Sequence, residues 1–239
     1  MSAPEYYLRL FDVKKYRQIQ PVIEGIVRHD VEAEQVISLI KTAQQVVQTD
    51  DYKKYNPDWF VDSDNSSFYS EIEMIENNGI LAWLKELERG NYFNALEPIV
   101  HSICCPKYQF KTQDLPTEEI SGTTVDYSYL IWQSDIYDLE LRELLISDSN
   151  LIETFPFHSS YTSSERTFFY ERQYLTELTR TVNEDIDALS RSDLNLDRYS
   201  PQYHASVIAD HLKIYDDFKF LLELANLSED YTLLYQNYV

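Results

Sequence analysis

Between Phe157 and Ser200 the chain contains neither glycine nor proline. Nothing in that run adds backbone freedom or removes a backbone donor, so nothing in it breaks a helix. Within it Phe168, Leu175, Leu178, Val182, Ile186 and Leu189 recur at steps of three, four and seven. That spacing lines one face of a 3.6-residue helix. Thr162 and Glu165 stand at capping-box spacing ahead of the first apolar residue, which predicts the helix start. Arg191 to Ser200 is polar and closes on Ser200-Pro201, an N-cap with proline at the first helical position. Beyond it His204, Ile208, His211, Tyr215, Phe218, Leu222 and Ala225 alternate steps of four and three. A seam so regular packs against a neighbouring helix. The expectation is a long antiparallel helical hairpin from Thr162 to Ala225. Ser228, followed by Glu229 and Asp230, is expected to cap a last short helix carrying Tyr231, Leu234, Tyr235 and Tyr238.

Upstream the signals are shorter. Tyr6 to Phe11 reads as a short strand or extended arm. Asp12 then caps a helix through Ile19, with Pro21 starting or kinking its continuation through Val27. Asp30 is placed as the cap of the next helix, where Ala33, Val36, Ile37, Ile40, Ala43 and Val47 form a stripe. Thr49 to Pro57 reads as a polar turn. A helix through Ile72, Met74 and Ile75 breaks at Asn78-Gly79, resumes at Leu81 and ends at Gly90. Asn91 to Cys105 reads as helix despite Pro98. Pro106 to Gly122 is the longest irregular stretch, with a short strand expected at Lys107 to Lys111. Val125 to Ile146 is assigned to helix, and Leu151 to Tyr161 to an aromatic turn.

With only 4 glycines and many long charged side chains, the whole is expected to be mainly α. It is read as a single bundle-like domain over residues 1–239 with at most one or two short strands. A chain of 239 residues buries roughly 70–75% of its unfolded surface in one such domain. No Gly/Ser or Pro-rich linker divides it.

Three local constellations are candidates for chemistry. Asp62 to Glu73 places Asp62, Asp64, Ser66, Ser70 and Glu73 at positions 1, 3, 5, 9 and 12 of a twelve-residue segment. It resembles an EF-hand calcium loop, in which alternate oxygen ligands closed by a bidentate glutamate hold a hard cation. The resemblance implies Ca²⁺ as the one candidate cofactor. It departs at Ser67, where the loop turns on glycine, and at Tyr69, where a small aliphatic residue is usual. Ser70 and Glu73 equally make a capping box. His101, Cys104 and Cys105 have helical i, i+3 and i, i+4 spacing, as a Cys–His pair or half a zinc site would. They precede Pro106 at an expected helix C-terminus, where the dipole opposes a thiolate, and no second Cys/His pair stands at zinc-like spacing. Buried inert thiols are the better reading. His204 and His211 fall about 10.5 Å apart along a helix axis, too far for imidazoles that each approach a metal to ~2 Å. Packing histidines, hydrogen-bonded across the hairpin, are expected.

The strongest bulk property is charge. The 41 Asp/Glu outnumber the 20 Lys/Arg, for a net −21. Residues 1–60 are near neutral, with 8 Lys/Arg against 9 Asp/Glu, and the remainder holds 12 against 32. A field of that sign repels phosphate backbones and anionic lipid, so neither nucleic acid nor a membrane surface is an expected partner. Met1 to Asp12 lacks the charged start and apolar run of a signal peptide. No stretch approaches the ~18 apolar residues of a span. Adjacent Cys104 and Cys105 suit a reducing compartment, and a soluble, cytoplasmic protein is expected. There is no Gly-rich phosphate loop, Gly-x-Ser-x-Gly elbow, His-Glu-x-x-His or Glu-x-x-His, and so no catalytic residue is assigned. The 20 tyrosines suit protein contact, because tyrosine buries much area at low entropic cost. The expected function is therefore binding of another, basic protein, as an inhibitor or immunity protein does. The rival is an enzyme or small-ligand binder with a helical pocket using His204, His211 or His101.

Overall fold

A computed structural model describes residues 5–55, 58–90, 92–105, 124–126, 152–157, 166–190 and 201–238. Among them run β1 (Glu5–Asp12), α1 (Val13–Arg28), α2 (Ala33–Val47), α3 (Asp50–Tyr55), α4 (Asp58–Asn78), α5 (Ile80–Gly90) and α6 (Tyr92–Cys104). Then come β2 (Thr124–Asp126), β3 (Ile152–Thr154), β4 (Arg166–Tyr170), α7 (Tyr174–Ser190), α8 (Pro201–Asn226) and β5 (Tyr231–Tyr238). The protein is mainly α, with one five-stranded sheet in the order β2-β1-β5-β4-β3. The sheet exceeds the one or two short strands expected. Contacts gather in two compact units, each assembled from separate stretches of chain: residues 1–10, 124–154 and 164–239, and residues 11–123 and 155–163. Each unit recruits distant segments, so no linker composition marks the crossings.

The first unit joins the sheet to the α7–α8 pair. Two strands occupy sequence assigned to helix. Arg166 to Tyr170 is β4, so Phe168 opposes Tyr235 across the ladder rather than opening the hairpin's first helix. The final segment is β5, not a helix. Its Tyr231, Leu234, Tyr235 and Tyr238 fit a helical step, but Thr232, Leu233, Leu234 and Tyr235 are all buried in succession. Burial on both faces erases the period-two alternation that identifies a strand. The rings of Phe168 and Tyr235 stack at 4.4 Å, and Tyr170 sits edge-on to Phe168 at 5.4 Å. Thr232 donates its hydroxyl to the Tyr170 carbonyl at 2.6 Å. The stretch assigned to helix from Val125 opens instead as β2, which pairs with β1 through Leu8↔Val125. Residues 127–146 of that assignment lie outside the described residues.

The hairpin itself is present, shorter at its start. α7 begins at Tyr174 and buries Leu175, Leu178, Val182 and Leu189. The Thr162–Glu165 capping box and Arg191–Ser200 lie outside the described residues. Arg172 fixes the far end. Its Nη1 donates to the carbonyls of Ala225 at 3.0 Å, Ser228 at 2.6 Å and Tyr231 at 3.0 Å. A cation is thereby placed on the C-terminal carbonyls of α8, where the dipole favours it.

The second unit is helical. Asp12 caps α1, accepting from the Lys15 N–H at 2.9 Å, and α1 continues through Pro21 to Arg28 without breaking. It ends with His29 in the left-handed region at φ 59°, while the Asp30 N–H reaches back to the Gly25 carbonyl at 2.8 Å. A Cβ on Gly25 would meet the Asp30 carbonyl oxygen at 2.7 Å, so only glycine allows that close return. Asp30 is not the cap of α2. The helix begins beyond Glu32, whose N–H donates to the Gln35 side chain at 3.1 Å. The stripe on α2 buries Val36, Leu39, Ile40, Ala43 and Val47, and α2 packs against α4 and α6. The turn expected from Thr49 contains α3. α4 and α5 meet at Gly79, φ 84°, as the Asn78-Gly79 break predicts. The irregular 106–122 segment, with its expected strand, lies outside the described residues.

Candidate functional site

The calcium-loop residues stand on α4. A ligand loop turns alternate side chains inward, whereas a helix rotates alternate residues by about 200°. Asp62, Ser66, Ser70 and Glu73 lie exposed, while Asp64 is half-buried on a different side of the helix. There the Asp64 carboxylate accepts the Tyr52 hydroxyl at 3.1 Å, and the Ser70 hydroxyl donates to the Ser66 carbonyl at 3.0 Å. The EF-hand arrangement is thus replaced by uninterrupted helix. The missing glycine at Ser67 was the signal against the loop, and the capping-box reading of Ser70 and Glu73 fails too, because both lie inside α4. Among the described residues no group of three or more His, Cys, Asp or Glu is placed to hold a metal ion.

His101, Cys104 and Cys105 come together with other polar groups where α6 ends. All three are buried. Tyr52 from α3, Ser102 from α6, and Asp12 at the start of α1 are buried too. Burial, then Cys105 and Asp12, pushes the Cys104 thiol well up, against a smaller opposing pull from Lys15. A thiol held protonated in the core is a poor nucleophile and a poor metal ligand. Burial and the Asp64 charge likewise push the Tyr52 hydroxyl well above its ordinary range. The cluster belongs to the packing between α1, α3, α4 and α6.

A second polar site joins α7 to α8. Tyr215, fully buried, donates its hydroxyl to Asp185 Oδ2 at 2.6 Å. Burial, then the Asp185 charge, drives that hydroxyl far up. His211 lies one turn before Tyr215 and is also fully buried, and Thr181 lies one turn before Asp185 and is buried. His204 is on the opening turns of α8; its side chain lies outside the described residues. Asp185 escaped the sequence reading. The signal for it was there: Leu178, Thr181, Val182, Asp185 and Leu189 share one helical face, and a carboxylate on an apolar face calls for a buried donor.

Among the described residues one histidine, His29, is accessible. His29 Nε2 lies 2.6 Å from the Tyr92 hydroxyl and 3.5 Å from Glu88 Oε1, at the surface where α1 ends beside α5 and α6. Elsewhere the exposed faces are rich in carboxylates. Asp62, Glu73 and Glu76 stand on α4, Glu177, Glu184 and Asp187 on α7, and Asp216, Asp217 and Glu223 on α8. Burial, together with Asp216 and against the pull of Lys213, pushes Asp217 up. No helix among the described residues is long and apolar enough to cross a membrane.

Compared with known protein families, curated proteins and solved structures, the chain matches none.

Proposed function

We propose that this chain is a protein-binding module that takes a basic partner protein on its carboxylate-rich surface, in the manner of an inhibitor or immunity protein. One observation carries the reading. Among the described residues His101, Cys104, Cys105, Asp185 and His211 are buried in the packing and His29 is the one exposed histidine, while carboxylates such as Asp62, Glu73, Glu76, Glu177, Glu184, Asp187, Asp216 and Glu223 stand outside in a chain of net −21. A surface of that kind steers oppositely charged partners and suppresses acidic ones. Exposed tyrosine, as at Tyr69, supplies the large rigid contact area that anchors an interface. The same field disfavours nucleic acid and anionic lipid. Two free, buried thiols accord with a reducing compartment, and the cytoplasm is the proposed location.

The test is capture from the native host by the tagged full chain, washed through a salt series and read by mass spectrometry. The expected result is one basic protein held in stoichiometric amount and released as NaCl rises through several hundred millimolar. An empty bait, or a partner retained regardless of salt, would overturn the reading.

A further inference from the structure

The link between α4 and α5 carries a chemical property that is independent of partner binding. Asn78 and Gly79 are exposed, and this is the single Asn-Gly pair in the sequence. Gly79 adopts φ +84° with open space around the position a Cβ would take. An asparagine followed by glycine is the pair most prone to main-chain attack on a side-chain amide, because no β-carbon shields the attacking nitrogen. We propose that Asn78–Gly79 is a self-modification site, with water as co-reactant, whose isoaspartyl product opens the α4–α5 turn.

The chemistry balances without a redox partner. The Gly79 nitrogen gives its proton to hydroxide and forms a bond to Asn78 Cγ. The Cγ–Nδ2 bond breaks, and ammonia leaves with a proton from water. The product is a five-membered imide. Water then adds to one of its two carbonyls. Opening at Cγ gives aspartate on an ordinary main chain. Opening at the main-chain carbonyl gives isoaspartate, with the chain rerouted through the side chain and lengthened by one carbon.

The surroundings set both the rate and the consequence. The Gly79 N–H donates to the Ile75 carbonyl at 2.9 Å, so attack runs through fraying of the last turn of α4, the part of a helix that opens most readily. Asn65 is held differently. It lies inside α4, with its side-chain oxygen accepting from Gln44 at 3.2 Å and Gln48 at 3.1 Å. Downstream, the Gly79 carbonyl accepts from the Ala82 N–H at 3.2 Å and the Trp83 N–H at 3.3 Å. Trp83 is buried, and its indole N–H donates to Glu71 on α4. The register of α5 on α4 therefore hangs on the length of the link at Gly79, and an added backbone carbon detaches the first turn of α5.

The full chain is aged in mildly alkaline buffer. Peptides are mapped by mass spectrometry with fragmentation that separates aspartate from isoaspartate, and amide hydrogen exchange is followed residue by residue. Asn78 is expected to convert before any other asparagine, to a mixture of both products, with protection lost at Ala82 and Trp83. Asn78→Gln should keep its amide and its protection. Asn78→Asp, which adds the charge on an ordinary main chain, should keep its protection too. Earlier conversion at another asparagine would overturn the proposal. So would isoaspartate at position 78 with Ala82 and Trp83 still protected, or equal loss of protection in Asn78→Asp.

Discussion

The same pair of side chains, a tyrosine hydroxyl on an aspartate, is built once in each unit, and the two differ in one physical respect. Tyr215 and Asp185 are both buried, at 2.6 Å, between α7 and α8. Tyr52 is buried but Asp64 is half-exposed, and their contact is 3.1 Å. A buried carboxylate that loses its donor has no water to turn to, whereas a half-exposed one does. The α7–α8 pair therefore specifies how the hairpin packs, and the α3–α4 pair only trims a boundary. At Asp185 the Tyr215 hydroxyl is a donor held in packing that leaves the carboxylate buried.

The largest effect should follow from Tyr215→Phe, which keeps the ring and leaves Asp185 buried without that donor. A loss of about 3 kcal/mol is expected, read as a lower midpoint in urea with an unchanged m-value. A loss below that of Tyr52→Phe would break the comparison. Next comes alkaline pH. Both hydroxyls are raised in the folded state, chiefly by burial, so folding favours their neutral forms. Their contribution is complete below the unfolded tyrosine value of about 10 and is lost as pH climbs above it, by up to about 1.4 kcal/mol per pH unit for each tyrosine. Tyr170 is raised well above its ordinary value by burial, then by Tyr235 and Tyr174, and adds to the same slope. Unfolding curves at rising pH should steepen from about pH 10, less so in Tyr215→Phe. A slope identical in wild type and variant would show that Tyr215 does not contribute.

His211→Gln should come third, at about 1–2 kcal/mol, because it empties part of a fully packed site on the α8 seam. Salt-dependent capture of a partner should survive it. Lost capture with unchanged melting would instead make His211 a working group.

What was legible followed from period and punctuation. The α8 seam was readable because His211, Tyr215, Phe218, Leu222 and Ala225 are buried along one face. The α4–α5 boundary was readable because Asn78-Gly79 is a local stop whose backbone needs glycine. The strands were not, for a shared reason. β4 is five residues long and β5 carries four consecutive buried residues. Such runs have no polar face to set a period, and Leu234 with Tyr235 can stand on either template until Phe168 and Phe169 are known to lie opposite. The buried polar groups were half legible. The thiols of Cys104 and Cys105 were rightly expected in the core, and His101 is buried with them. The partnership of Asp185 with Tyr215 depends on two helices meeting in register across 30 residues, and no local pattern carries that.

The smallest expected effect is the most discriminating. Tyr52→Phe removes the donor to Asp64, but Asp64 keeps access to water, so the desolvation penalty that dominates at Asp185 is largely absent. What remains is the net worth of one hydrogen bond, about 1 kcal/mol. Asp64→Asn in the Tyr52→Phe background should then cost almost nothing more, whereas Asp185→Asn in the Tyr215→Phe background should recover stability, because it removes a buried charge no longer stabilised by the Tyr215 hydroxyl. Opposite signs in these two second steps, measured by urea midpoints on the same chain, would show that burial rather than bond length separates the pairs. The same outcome in both second steps would mean that burial does not separate the pairs.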